Sequence, residues 1–325
     1  MHHFLFEFIT GGGLSDQDLP DSLAYEGDLM LRALLNDLVD AGHTNISLTR
    51  DSRLAPLTGS ITQHIVNKDV KERLAEIIKQ DDLVWLIAPE IDDALASYTD
   101  FFLGHGCKLI GSSPESIRLA SSKFGMFKHL QASNIETIDT RYLNESIPVS
   151  NDGWIVKPDD GAGAEGCYFF YDEDELNEFI SKSDRDNYVI QPYISGNHMS
   201  MSLLIYEKEV VLLGCNQQFI EFEDKKVMLV AVGINECLDC YHSLLLVAKK
   251  IAHSVPGLAG YVGVDLIMND NKVTVVEINP RLTTSYVGLS KSLGVNVADK
   301  ILNTFLSGNL PELDVSAAQA VRIDL

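Results

Sequence analysis

The stretch Val275-Val276-Glu277-Ile278-Asn279-Pro280-Arg281, with Val262-Gly263-Val264-Asp265-Leu266-Ile267-Met268 shortly before it, decides the fold. Both runs are β-branched or aliphatic, and Asn269-Asp270-Asn271 between them is a turn sequence. They read as a hairpin whose second strand runs from Lys272 to Ile278. Closing it brings Asp265 near Glu277 and sets Asn279 at the exit of the second strand. Hard oxygen donors in that grouping suit Mg²⁺, which takes a few carboxylates and completes its shell with substrate phosphates. Arg281 adds a rigid positive fork matched to phosphate or carboxylate. A surface hairpin with solvated charges is the plainer alternative. Acids set inside apolar strands argue against it, because a buried charge needs a partner.

The chain has 325 residues, 46% of them hydrophobic, enough for two or three cores. The formal charge is −22, so neither nucleic acid nor an anionic membrane is an expected partner. An anionic substrate would need a locally basic pocket, which makes well-placed lysines and arginines informative. No apolar run approaches the roughly 18 residues of a membrane span. The start, Met1-His2-His3-Phe4-Leu5-Phe6-Glu7, lacks the basic flank and long apolar core of a secretion signal. Five cysteines, an odd and sparse set, suggest reduced thiols and a cytoplasmic setting. Cys237-Leu238-Asp239-Cys240 has CxxC spacing, but no second pair completes a zinc site, so these read as ordinary thiols.

Outward from the hairpin, the first third alternates strands (His3 to Phe8, Asn45 to Leu48, Leu83 to Ala88, Lys108 to Gly111) with helices. The helices are Ser22 to Ala41, Val70 to Lys79 and Ile91 to Leu103. That rhythm implies a parallel sheet covered by helices. Gly111-Ser112-Ser113-Pro114 marks a boundary, giving units 1–114, 115–191 and 192–325. One helix is expected from Ser116 to Ala132 and another over Glu173 to Ser181. Strands are expected at Met199 to Tyr206, Glu209 to Asn216 and Val227 to Val232. A long helix, Asp239 to Ser254, leads to the hairpin, and helices Tyr286 to Leu293 and Val295 to Leu306 follow it. The tail to Leu325 carries a candidate edge strand.

Trp154-Ile155-Val156 runs into Lys157-Pro158 and then a loop with Gly161, Gly163 and Gly166. Glycines let backbone N–H groups approach a phosphate and adopt positive φ. The pattern is not GxxxxGK[ST], and no helix follows it as GxGxxG requires, so on its own it is equally a hairpin turn. Lys123 opens a helical segment, where a lysine usually faces solvent. Gln191-Pro192-Tyr193-Ile194 is extended, and Pro192 forbids central-strand pairing there. Free backbone groups beside an aliphatic side chain can read an adenine edge and cover its face.

Lys123, then Lys157 with its glycine loop, then Gln191 to Ile194, then Asp265, Glu277 and Asn279: this order resembles the ATP-grasp superfamily over roughly residues 115 to 308. The resemblance implies an α/β chain with α+β elements, an ATP-grasp fold behind an N-terminal Rossmann-like pre-ATP-grasp domain. It implies that Lys123 and Lys157 hold ATP phosphates under the Gly161, Gly163 and Gly166 loop. Gln191, Tyr193 and Ile194 would frame adenine. Asp265, Glu277 and Asn279 would carry two Mg²⁺, with Mn²⁺ as the substitute, and Arg281 would steady the transferred phosphoryl group or the acyl phosphate. Many members have a glutamate for the ribose in a Gly-x-Glu-x-Ser context. Here Gly196-Asn197-His198-Met199-Ser200 offers His198, either as a ribose contact or as a strand-end histidine. Gly263 stands where some peptide-forming ligases have an arginine, which weakens a D-alanine–D-alanine ligase assignment.

Phe6-Glu7-Phe8, Gly11-Gly12-Gly13 and Glu26-Gly27-Asp28-Leu29-Met30 look like the archaeal tyramine–glutamate ligases of methanofuran biosynthesis, as does Pro280-Arg281-Leu282-Thr283-Thr284-Ser285. That resemblance implies an amide bond between the γ-carboxylate of glutamate and tyramine, driven by ATP. An alkylammonium has a pKa of about 10.4, so at pH 7 about one molecule in 10³ is neutral, a penalty of roughly 4–5 kcal/mol. A carboxylate near the amine would help by accepting its proton, and Glu7 and Glu26 are the candidates. Glu26 is equally readable as a helix-surface acid. The partners expected are then an amino acid and an amine, with a homodimer allowed. Rival readings are a ligase for another acid and amine, an ATP-binding regulatory protein without turnover, and a biotin-dependent carboxylase component.

Overall fold

The computed structural model of the chain describes residues 1–161, 165–182, 186–270 and 272–325. The first unit is a parallel sheet. Its strands are β1 (His3–Glu7), β2 (Ile46–Asp51), β3 (Thr62–Val66), β4 (Leu83–Ile87) and β5 (Lys108–Leu109), in the order β3-β2-β1-β4-β5. Helices α1 (Asp21–Asp40), α2 (Val70–Ile77) and α3 (Ala94–Gly104) connect them. Every residue of β1 and β4 is buried, as expected of parallel strands covered on both faces. Leu5 packs with Leu31, Leu34 and Leu38 of α1, while Phe4 and Phe6 pack with Leu74 and Phe102 on the other face.

The second unit starts with α4 (Pro114–Ser121) and α5 (Lys123–Ala132), then β6 (Arg141–Tyr142), β7 (Trp154–Pro158), β8 (Tyr168–Phe170), α6 (Glu173–Ser181) and β9 (Tyr188–Pro192). After it come β10 (Asn197–Tyr206), β11 (Glu209–Glu223), β12 (Lys226–Ile234), α7 (Tyr241–Ser254), β13 (Gly260–Asn269), β14 (Lys272–Asn279), α8 (Tyr286–Leu293), α9 (Val297–Ser307) and β15 (Val321–Asp324). The strands form one path, β14-β13-β10-β11-β12-β8-β7-β9-β6, and β15 pairs with β12. The long ribbon β11–β12 reaches across to β8: Phe169 N–H donates to Lys225 O at 2.7 Å and Val227 N–H to Cys167 O at 3.1 Å.

A single apolar cluster joins the two sheets. It runs from Leu5 and α1 to Tyr286, Leu289, Ile301 and Leu302. Asp37 of α1 sits at that junction and accepts from Tyr286 Oη and Ser290 Oγ, both at 2.7 Å. The first sheet is thereby fixed over the end of the β13–β14 hairpin.

Several expectations need correction. The helix expected over Ile91 to Leu103 starts at Ala94, because Asp92 and Asp93 take left-handed backbone (φ 52 and 57). The one helix expected over Ser116 to Ala132 is two. Ser122 is extended, and its Oγ accepts from Gly125 N at 2.9 Å, which caps α5 and makes Lys123 its first residue. Strand β3 was not anticipated: its alternation is mixed and half of it is exposed. β11 continues past Asn216 to Glu223, and α7 starts at Tyr241 rather than Asp239. Pro192 does pair in register with Trp154, although β9 lies between β7 and β6. It is tolerated because β6 pairs only as far as Ile190, so no donor is missed on that side.

His3 is fully buried, and its Nδ1 accepts from Trp85 Nε1 at 3.1 Å. An indole can only donate, so the proton sits on Nε2, which has no partner among the described residues. Burial, and then the neighbouring His43, press the His3 pKa down to about 4. The unfolded chain takes up this proton below pH 6.5 and the folded chain does not. Stability is therefore intact above that pH and falls as it drops toward 4, by roughly 3 kcal/mol at most. Urea unfolding midpoints at pH 7 and pH 5 should show the drop, and a His3→Leu variant should lack it. Parallel losses in both proteins would reject this assignment.

Candidate active site

The β13–β14 register places Asp265 opposite Glu277 and Gly263 opposite Asn279, with an irregularity after Asp265 that leaves Val276 unpaired. Asp265 Oδ2 accepts from Asn279 Nδ2 at 3.1 Å, and its Oδ1 from Gln218 Nε2 at 2.9 Å. Glu277 Oε2 lies 3.4 Å from Lys123 Nζ. Two half-buried carboxylates on facing strands repel. Burial, and next the charge of Glu277, push Asp265 up to about 7. Burial would raise Glu277 as well, but Lys123, Lys157 and Arg281 hold it below the usual carboxylate range.

Lys123 is held by the loop after β7: its Nζ donates to Gly161 O at 2.6 Å and its backbone N–H to Asp159 O at 3.0 Å. Asp159 itself was missed in the sequence. Its carboxylate accepts from Phe124 N at 2.8 Å and Ser122 Oγ at 2.7 Å, binding the root of the glycine loop to the start of α5. Lys157 is 8% exposed, and its side chain makes no hydrogen bond or ion pair among the described residues. Burial lowers its pKa, the charge of Glu277 works against that, and Lys123 adds to it.

One cleft collects most of the residues singled out above. Lys123, Lys157, Gly161 and Gln191 line it, as do Tyr193, Ile194 and His198. Asp265, Glu277, Asn279, Arg281 and Glu26 line it too. Gln191 is anchored through its Nε2 to Thr140 Oγ1 at 2.8 Å, and Tyr193 N–H donates to Gly153 O at 2.8 Å. His198 is partly buried, and burial lowers its pKa, so it is a neutral donor or acceptor. Apolar cross-strand pairs of the ribbon, Ile220 with Leu229 and Phe222 with Val227, form one wall.

Two residues fall elsewhere and one cannot be placed. Glu7 is not in the cleft lining. Its carboxylate is consumed locally by Ile9 N at 3.1 Å and by Thr10 N and Oγ1, each at 2.6 Å. It presses on α1 at Gly27, where a Cβ would come within 2.6 Å of Oε2. Glu7 thus shapes the turn after β1 rather than meeting an amine. Gly166 also lies off the cleft lining, at φ +67 against Pro158 and Tyr188. Gly163 of the glycine loop lies outside the described residues, as does Asn271 of the hairpin turn.

Glu26 does face the cleft, where its Oε1 accepts from Thr284 Oγ1. Arg281 meets a residue the sequence did not suggest, Glu90. Its Nε lies 3.0 Å from both carboxylate oxygens, and its Nη2 donates to Oε2 at 2.9 Å.

Residues 120–285 match the ATP-grasp domain family and residues 44–117 a pre ATP-grasp domain. The chain belongs to the ATP-grasp family. It is 27% identical to a protein of Methanocaldococcus jannaschii named tyramine–L-glutamate ligase, over 87% of this chain and 83% of that one. It is 30% identical to tetrahydromethanopterin:alpha-L-glutamate ligase of the same organism, over 63% of this chain and 72% of that one. Among solved structures, a protein of Archaeoglobus fulgidus described as of the ATP-grasp superfamily superposes with a TM-score of 0.73 at 24% identity, covering 100% of this chain and 99% of that one. N5-carboxyaminoimidazole synthetase from Staphylococcus aureus, solved with ADP, superposes with a TM-score of 0.70 at 14% identity, covering 96% and 81%.

Membership implies ATP and a divalent cation, and the residues fit both. Among the described residues no three His, Cys, Asp or Glu side chains gather into a self-sufficient metal site. Asp265 and Glu277 with the free Oδ1 of Asn279 make a partial oxygen shell, the kind that Mg²⁺ completes with water and phosphates. Lys157, buried beside them with no side-chain partner among the described residues, is a cation suited to an anionic ligand. No helix among the described residues is long and apolar enough to cross a membrane.

Proposed function

We propose that this chain is an ATP-dependent carboxylate–amine ligase that joins the γ-carboxylate of L-glutamate to tyramine in the making of methanofuran or an analogue. The observation that carries the ligase reading is the single cleft in which two facing acids, two buried lysines, Arg281 and Glu26 converge. The similarity to tyramine–L-glutamate ligase along 87% of the chain supports the choice of substrates. Units 1–114, 115–191 and 192–325 then serve as an acceptor-side domain and the two halves that hold the nucleotide.

Two Mg²⁺, or Mn²⁺ in their place, would neutralise phosphate charge on bound ATP; the carboxylate takes the γ-phosphoryl group with release of ADP, and the amine displaces phosphate from the acyl phosphate. The protein's residues do the rest. Asp265, Glu277 and Asn279 would hold the metal through their oxygens. Lys123 and Lys157 hold phosphate oxygens, with Gly161 of the glycine loop beside them. Gln191, Tyr193 and Ile194 frame adenine, and His198 meets the ribose. Arg281 steadies the phosphoryl group in transfer by drawing on its negative charge.

Glu26 is the acid placed to seat the ammonium group and receive its proton. Glu26→Gln should raise the KM for the amine at least about tenfold, the scale of one charge-assisted contact, with the KM for ATP unchanged. An unchanged amine KM would remove Glu26 from this role. The function itself is tested by ADP release from Mg-ATP and L-glutamate, with and without tyramine, and by the product mass. Release that needs both, with a γ-glutamyltyramine mass, is the expected result. Release with a different acid and amine would keep the ligase and discard tyramine.

A further inference from the structure

Glu90 reaches Arg281 from the first unit, 191 positions away in sequence. Glu90 is 4% exposed and the Arg281 side chain 12%, so the two-point contact is largely shielded from water, where it is strong and directional. A further donor of Arg281, on Nη1, goes to Leu282 O at 3.2 Å. A guanidinium has five N–H groups. Among the described residues three are engaged, which leaves one on each terminal nitrogen. Arg281 lines the cleft and Glu90 stands behind it, outside the described lining. The two remaining N–H groups are therefore those that a ligand can use.

The turn carrying Glu90 is fastened on both sides. Asp92 N–H donates to Asp160 Oδ2 at 3.2 Å, at the root of the glycine loop, and Asp93 lies 3.4 Å from Arg118. Asp92 and Asp93 hold left-handed backbone, which persists in non-glycine residues where the surroundings over-determine it. A carboxylate presented from such a turn stays in one place. Arg281 is also within the field of Glu26 and Glu277. Without Glu90 those are the charges it would turn to, and Glu277 is one of the facing acids of the metal site.

We infer that Glu90 is a positioning residue: it aims the free N–H pair of Arg281 at the phosphoryl group in transfer and keeps that guanidinium off Glu277. The inference rests on the ligase reading only for the nature of the group Arg281 meets. Two variants test it. Glu90→Gln keeps size but loses charge, and Glu90→Asp keeps charge with a shorter reach. The first measurement is affinity for MgADP alone and for MgADP with fluoroaluminate, which mimics the phosphoryl group in flight. Glu90→Gln should bind MgADP as the native protein does and lose at least about tenfold of the gain that fluoroaluminate brings, the scale of one lost charge-assisted contact. Glu90→Asp should recover part of it.

The second measurement is kinetic. The kcat of Glu90→Gln should fall about 10²-fold, as misplacement of a reacting group does, with the KM for ATP nearly unchanged. A purely architectural role would instead lower the melting temperature and weaken MgADP with and without fluoroaluminate alike. That result overturns the inference. So does a native protein that gains nothing from fluoroaluminate, or a Glu90→Gln variant that gains as much as the native one. The binding arm needs neither acid nor amine, so a wrong assignment of tyramine would show as missing product with this arm intact.

Discussion

Glu277→Ala should leave a folded protein with no measurable ADP release. Glu277 is the member of the facing pair that stays charged, since Lys123, Lys157 and Arg281 surround it, whereas Asp265 is driven toward the neutral form. It is therefore the dominant negative charge available to a divalent cation in the cleft. A catalytic metal contributes several kcal/mol of charge stabilisation, so its loss should reduce kcat by about 10³-fold or more. The fold should survive at reduced stability: the depressed pKa of Glu277 means that its charge, beside Lys123 and Lys157, stabilises the folded state at neutral pH, while the apolar strands around it are untouched. Lys123 keeps its bond to Gly161 O. Melting temperature and Mg²⁺-dependent nucleotide binding measured side by side decide the matter: a cooperative melt at a lower temperature with lost Mg²⁺ dependence is expected. Full activity in this variant would remove the Asp265–Glu277 pair from metal binding.

Lys157→Met should weaken ATP binding by one to two orders of magnitude, matching the roughly 1.5–3 kcal/mol of a hydrogen bond to a charged group. The same change should make the ligand-free protein at least as stable as the native one. The sign follows from burial. The folded-state pKa of Lys157 lies below its unfolded value, so at neutral pH the charged lysine opposes folding. Methionine keeps the apolar stem and removes that opposition. Calorimetric titration of ATP, together with thermal melts in its absence, should move in opposite directions. If ATP affinity holds, Lys157 does not meet the phosphates. If the melting temperature falls sharply, the lysine has a structural partner after all.

The hairpin from Val262 to Asn279 was legible because its alternation, turn and embedded acids all point one way. The same holds for α6, where Asp172 caps the helix through Asp174 N and Glu175 N and the expected bounds match the observed ones. What escaped notice depends on contacts distant in sequence. Glu90 looks like a loop acid until the first sheet is fixed over Arg281. Asp159 looks like part of a glycine-rich turn until α5 presents its N–H groups. Glu7 had a chemical reading from its place at a strand end, yet Thr10, three residues on, satisfies it. The break at Ser122 is invisible to apolar periodicity, which runs straight through it. Gln218 became visible only when β11 proved to extend beyond Asn216.

The ribbon β11–β12 has a mechanical consequence. The chain enters the segment holding β6 to β9 beside β14, where Thr137 pairs with Val275, and leaves it through Tyr193 to Gly196. A body attached at two points can swing like a door about the line between them. The bonds from Lys225 and Val227 to β8 add a non-covalent attachment off that line, besides those of Asp159 to α5 and Asp160 to Asp92. The door then cannot open until these catches are lifted. Amide hydrogens at Phe169 and Val227 should therefore exchange at the rate at which the cleft itself opens.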